Sequence, residues 1–380
     1  MTEPRQVFLL TGLPVSFLAQ KLLPQLLHKH PEALVKCLVA ETTTEKAQHL
    51  IRRLPVADQA RVELVRGDAT AMDFGLSGKR FLALANEIDV IHHCLCANYG
   101  GVGRDNERRT FVASTGEVLE LALASQSRLQ RLVHWGSATL SQPHNGRTTE
   151  TEWKRPSSFR SRADDMRFRA EQLIRDAMNR VPVTILRPAI IVGDSNSGEI
   201  DPLEGPYALF QLMLNPQLDM RIPVPGHGEQ SCNFVPIDFV IEAGLTIAND
   251  ARSAGRTFHL TDEHPLSMRR VFDLVAGTVE RPATVPRLPR NLAALILHAP
   301  GMDRVAAVPK SFLELLAVDV LYDARNAREL LAGTGINCPN LTSYLKTILA
   351  RVQRDQEVRS KPRRPRRYPH FEEMDDPLDT

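Results

Sequence analysis

The first residue able to act on a carbonyl is a hydroxyl at the end of a strand. Ser137 follows the apolar run Arg131-Leu132-Val133-His134. It would therefore stand at the carboxyl edge of a sheet, where open α/β sheets bind their ligands. A serine there can polarise a carbonyl oxygen, but reduction needs a separate proton donor. Three nearby side chains could be recruited as that acid: His134 on the same strand, and Asp164 and Asp165 on a charged helical segment. Nothing in the sequence pairs His134 with a base or a substrate, so its plainer role is structural. Thr11-Gly12 points to a second chemistry, because it joins the first apolar strand to a helix whose N-terminus would attract a phosphate. No metal is expected, because Cys94 and Cys96 form a Cys-x-Cys without a second cysteine pair.

These groups depend on an alternation of strands and helices. Short apolar runs at 7–11, 34–39, 62–65, 88–91, 131–134 and 183–186 are of the fully buried strand type. Phe17, Leu18, Leu22, Leu23, Leu26 and Leu27 recur at helical spacing, and a polar helix is expected over 43–53. Val112, Val118, Leu119 and Leu121 mark another helix, and a charged one is expected over 161–178. The class is α/β: a Rossmann-type, doubly wound parallel sheet with helices on both faces and a smaller C-terminal substrate lobe. We expect the core at about 5–192 plus 233–262, and the lobe at about 193–232 and 263–352. Residues 353–380 combine a proline-broken basic run with an acidic end, and are expected to form a disordered tail.

Composition narrows the class of function. The chain has 380 residues, a net charge of +2 and 24% charged residues, so no global charge draws it to nucleic acid or membrane. Five scattered cysteines argue against a disulfide framework and suit a reducing cytoplasm. Neither a leader pattern nor a spanning apolar run is expected.

From Val62 to about Val352 the chain resembles the male-sterility, or thioester-reductase, branch of the extended short-chain dehydrogenases/reductases, which includes fatty acyl-CoA reductases. Gly67-Asp68-Ala69-Thr70, Asp89-Val90-Ile91-His92-His93-Cys94, Leu132 to Ala138, Leu186 to Asp194 and Asn233 to Asp238 carry the resemblance in order along the chain. It implies NAD(P) contacts at Thr11, Gly12, Phe17 and Leu18 in the first turn, Glu41 after the second strand, Asp68 and Ala69 after the third, and Pro188 after the sixth. It also implies a catalytic Ser/Thr at Ser137.

The resemblance exposes three departures. The family's phosphate loop is Thr-Gly-x-x-Gly-x-x-Gly, whereas here Gly12 has no second glycine before Gly67. Side chains at Val15 and Ser16 are expected to intrude on a pyrophosphate. Ala40-Glu41 lacks the arginine usual in NADPH-preferring relatives. Glu41 would favour a 2′-hydroxyl over a 2′-phosphate, or simply begin the next helix. Third, the family's Tyr-x-x-x-Lys supplies the proton, the lysine lowering the phenol's pKa. Counting back from Phe168-Arg169-Ala170-Glu171-Gln172-Leu173 puts Ala163 in the tyrosine slot and Arg167 in the lysine slot, and no Tyr-x-x-x-Lys occurs anywhere in the chain. Ser137 and Arg167 are then vestigial, and NAD(P) binding is expected to be weak or absent. The expected function is a catalytically lost or impaired relative acting as a ligand-binding or scaffolding module for a small acyl or pantetheine-like ligand, with the tail docking a protein partner. The alternative is an NAD(P)-dependent oxidoreductase or epimerase with an atypical proton donor.

Overall fold

The computed structural model describes residues 5–95, 106–140, 146–201, 205–214, 224, 228–278 and 310–360. Seven parallel strands form the central sheet: β1 (Val7–Thr11), β2 (Leu34–Val39), β3 (Val62–Arg66), β4 (Val90–His93), β5 (Arg131–Trp135), β7 (Val183–Pro188) and β11 (Arg256–Leu260), in the order β11-β7-β5-β4-β1-β2-β3. Between β5 and β7 runs β6 (Gly146–Thr148). Between β7 and β11 run β8 (Ile190–Ile191), β9 (Ser231–Cys232) and β10 (Phe234–Val235), and later come β12 (Leu266–Ser267) and β13 (Val320–Tyr322). The order reverses beside β1, so a crevice opens at the carboxyl ends of β1 and β4, as in other doubly wound sheets.

The helices are α1 (Phe17–Lys29), α2 (Thr44–Ile51), α3 (Val56–Gln59), α4 (Gly78–Ala85), α5 (Ser114–Ala124), α6 (Arg162–Asp176), α7 (Gly205–Met213), α8 (Ile237–Asn249) and α9 (Met268–Thr278). Three further helices follow: Lys310–Leu316, Arg325–Leu331 and the terminal Leu341–Ser360. One face of the sheet packs on α1 and α8, through Phe8, Leu10, Val133 and Trp135. The other face packs on α4, α5 and α6, through Leu9, Ile91, Leu132 and Ile185. The strands are apolar on both sides because both are covered. Trp135 is fully buried and donates from Nε1 to His92 Nδ1 at 3.2 Å. Gly244 of α8 lies against the Trp135 ring, where any Cβ would overlap it.

The lobe has its own core, built from α7, α9, the helix 310–316 and the terminal helix around Phe210, Phe272 and Ile348. Two expectations change. The fourth strand, expected over 88–91, runs two residues later, because His92 and His93 are buried strand residues. The terminal helix continues past 352 to Ser360, with Val352 fully buried and Gln356 Nε2 donating to Gln211 O at 2.8 Å. The disordered segment was therefore set to begin too early, and its remainder, 361–380, lies outside the described residues.

Candidate active site

The turn between β1 and α1 is closed largely by its own atoms. Gly12 has φ +99°, which favours glycine, and a Cβ there would lie 3.3 Å from Cys94 Cβ. Ser16 N–H donates to Gly12 O at 2.7 Å, and Ser16 Oγ caps α1 by accepting from Ala19 N at 3.3 Å. Gln20 Nε2 donates to Pro14 O at 2.8 Å. Of the two side chains expected to intrude on a pyrophosphate, Ser16 is buried as that cap, whereas Val15 is 55% exposed.

At the ribose end, Glu41 lies in a short 3-10 turn (Glu41–Thr43) and faces Arg66 of β3 at 3.6 Å. The neighbouring strand thus supplies a cation that we had not anticipated, partly offsetting the charge expected to repel a 2′-phosphate. Both side chains are exposed, so the pair adds little stability. Asp68 Oδ1 accepts from Thr70 N at 2.9 Å and Thr70 Oγ1 at 2.8 Å, and Arg109 approaches Asp68 Oδ2 at 3.7 Å.

At the ends of β1 and β4, Thr11 Oγ1 lies 2.9 Å from His93 Nδ1, and His93 Nε2 lies 3.0 Å from Thr115 Oγ1. Thr115 donates to Phe111 O at 2.7 Å, so it accepts from His93 Nε2–H. Thr11 in turn donates to Nδ1. His93 is neutral in this arrangement, and burial together with His134 holds its pKa well below the usual histidine value.

Helix α6 begins where the charged segment predicts. Ser161 caps it, accepting from Asp164 N at 3.1 Å. Ala163 and Arg167 do share a face, but that face packs on α5 and the π-helical turn before it (Arg108–Ala113). Ala163 touches a cluster of Phe111, Met166 and Ala170. The Arg167 guanidinium lies 4.7 Å from the centre of the Phe111 ring and 3.6 Å from Asp164 Oδ1, and the side chain is 2% exposed. Arg167 therefore folds back onto a carboxylate.

Ser137 is buried, 2.9 Å from Thr139 Oγ1, and accepts from Thr139 N at 3.3 Å. Arg160 donates to Thr139 O at 2.6 Å and pairs with Asp164 Oδ2 at 3.3 Å. A polar chain thus links Ser137 to Asp164 through Thr139 and Arg160. One cleft gathers Ser137, Phe17, Leu18 and Pro188, with Ile200 and Phe312 from the lobe side. Ala163 and Arg167 do not line it.

Sequence inspection missed the ionic group beneath α6. Arg187 and Glu171 are both fully buried and joined at Nε by contacts of 3.0 and 3.1 Å. Arg175 binds the same carboxylate at 3.0 Å. Trp153 covers Arg187 and Arg175 at 4.6 and 4.7 Å and stacks on Phe168 at 4.2 Å. His134 is fully buried beside this group, and burial plus Arg187 lowers its pKa to about 3. It is therefore neutral at ordinary pH. Among the described residues no group of three or more His, Cys, Asp or Glu side chains could hold a metal. None of their helices is long and apolar enough to cross a membrane.

Residues 10–244 match the family model for the male sterility protein, an NAD-binding domain. The chain belongs to the male sterility protein family. It is thus a thioester-reductase-like extended short-chain dehydrogenase/reductase. A glycine betaine reductase of Emericella nidulans is 27% identical over 223 residues, 56% of this chain and 17% of that protein. A non-canonical nonribosomal peptide synthetase of Aspergillus campestris is 24% identical over 296 residues, 72% of this chain and 27% of that protein. This male sterility family chain therefore spans roughly a quarter or less of the length of these curated relatives. The terminal R domain of the myxalamid PKS-NRPS pathway superposes with a TM-score of 0.77 at 24% identity, covering 93% of this chain and 92% of that one. An NAD-bound UDP-glucuronic acid 4-epimerase from Bacillus cereus gives 0.64 at 17% identity, covering 92% and 99%. At these identities the superpositions establish the fold.

One N–H of the α1 N-terminus that would face a pyrophosphate is already taken. Ser16 Oγ already takes the Ala19 N–H of α1, and a buried serine stands where a family glycine lets the backbone approach phosphate.

Proposed function

We propose that this male sterility family chain has lost or severely reduced hydride-transfer chemistry and works as a ligand-binding or scaffolding module. The observation that carries this is the face of α6. Where a proton donor and its cation would stand, Ala163 packs into an apolar cluster and Arg167 is buried against Phe111 and Asp164. Losing a general acid typically costs a factor of about 10² to 10⁴ in rate. The Ser137 cleft, walled by Phe17, Leu18, Pro188 and Ile200, suits a small acyl or pantetheine-like ligand: apolar walls with one hydroxyl to orient a carbonyl. The relatives' names, reductases and nonribosomal peptide synthetases, support the same ligand class.

The test is calorimetric titration with NADH and NADPH, alongside turnover of acyl-CoA and aldehyde substrates. We expect weak or no nucleotide binding and no turnover above background. Turnover faster than about one per second, the low end for ordinary enzymes, overturns the proposal.

One observation favours a second reading, an NAD(P)-dependent oxidoreductase or epimerase with an atypical acid. Asp164 communicates with Ser137 through Arg160 and Thr139. If turnover is found, Asp164→Asn should abolish it while leaving nucleotide affinity unchanged.

A further inference from the structure

The first turn of α6 faces a ring rather than an open slot. The chain before α5 makes a π-helical turn over Arg108–Ala113, a wider turn that carries an extra residue. Within it Phe111 is 1% exposed and packs on Met166 and Ala170, which are themselves buried. Ala163 and Val112 lie against the same cluster. Positions 163, 166 and 170 follow helical spacing, so they form a single stripe on α6. The Thr115 hydroxyl holds the Phe111 carbonyl at 2.7 Å, and the Arg167 guanidinium lies over the Phe111 ring at 4.7 Å. Through Thr115 and His93 the same network reaches Thr11 at the end of β1.

We infer that Phe111 sets the residue size that position 163 can hold: its ring fills the space beside Ala163 that a phenol there would need, and the Arg167 guanidinium packs on the ring. The slot is thus a packed apolar plug, and an alanine is the residue size that the plug admits. A lysine at 167 would not clamp equally well, because a planar guanidinium stacks on a ring face where an ammonium only approaches it. This inference deepens the proposed loss of chemistry, on which it rests for its meaning. Its own evidence is steric.

The experiment is a size-exchange cycle on the full chain, read by melting temperature. Ala163→Tyr overfills the cluster and Phe111→Ala empties it, so each alone should lower the melting temperature by roughly 5 °C or more. The double variant should melt above Ala163→Tyr alone, because the new ring enters the space the old one leaves. Losses that simply add, or a harmless Ala163→Tyr, would overturn the inference. Should Phe111→Ala not fold, Phe111→Leu in the same cycle gives a smaller rescue of the same sign. The two proposals fail separately. Turnover by the unmodified chain would sink the loss of chemistry and leave the coupling intact. Additive losses in an inactive chain would sink the plug alone.

Discussion

The two halves of α6 have different fates. Its C-terminal half carries Glu171 and Arg175, which meet Arg187 in an ionic group under the lid of Trp153, with Glu171 and Arg187 fully buried. Its N-terminal half carries Ala163 and Arg167, and both pack around Phe111. One helix therefore fastens itself to the sheet with one half and packs on Phe111 with the other. The two kinds of contact are separable on a single element because they use different turns. The docking half meets a strand through buried charges, while the other half meets the π-helical turn before α5 and, through Arg160, the turn at Thr139.

The comparison is sharpened first by breaking each half. Glu171→Ala strands the Arg187 guanidinium in the interior, so it should cost about 3–5 kcal/mol in denaturant unfolding. Arg167→Gln removes a ring contact and a 3.6 Å ion pair, and should cost less, on the order of 1–2 kcal/mol. Equal costs would abolish the distinction between the halves.

The next effect is on pH. Burial lowers His92, His134 and His259 to about 3, and holds His93 well below the usual value. Their stability contribution is complete above about 6.5 and is lost as pH falls toward 3, at up to about 1.4 kcal/mol per pH unit for each histidine. Glu150 has the opposite sign. Burial raises its carboxyl to about 7, opposed by hydrogen bonds from the backbone N–H groups of His259, Asn326 and Ala327. Its contribution is largest below about 4.5 and declines as pH rises to 7. Urea midpoints should therefore fall steeply below pH 6.5, and Glu150→Gln should steepen the fall between 6.5 and 4.5. A midpoint flat from pH 7 to 5 would show that the histidines are not kept neutral.

The smallest effect concerns the end of the chain. Truncation after Ser360 should leave the melting temperature within about a degree or two, because 361–380 offers few apolar side chains for docking. Truncation after Val352 should cost more, since it removes the turns that carry Gln356 to Gln211.

The sheet was legible because buried parallel strands are continuous apolar runs: β1, β2, β3, β5 and the start of β7 stand where those runs lie. The fourth strand was misplaced because His92 and His93 are polar residues hidden in a core. The pairing of β6 with β13 was invisible, as three-residue strands far apart in the chain, with Gly146 opposite Val320, leave no periodic trace. The start of α6 was legible from its charged segment, and the helix begins at Arg162 under the Ser161 cap. The neighbour of its Ala163 face was not. Phe111 reads as one more apolar helical residue, and only the π-helical turn tells that it is turned toward Ala163. Arg66 was missed because its partner Glu41 lies on a different strand end, a proximity that only the sheet order creates.

The chain has two tryptophans, and the fold places one on each side of its sheet. Trp135 lies in the apolar layer with α8, bonded to a neutral histidine, and should emit blue-shifted fluorescence. Trp153 is stacked flat on Phe168 with two guanidinium groups over its ring and its N–H on Gln172 at 2.7 Å. Its emission should respond to the loss of those cations, and its stacked pair should give a near-ultraviolet dichroism signal of its own. Each layer of the molecule thus has a built-in optical label. Replacing either tryptophan with phenylalanine would leave a chain whose remaining signal reports one layer, so the detachment of α6 could be watched apart from the melting of the opposite core.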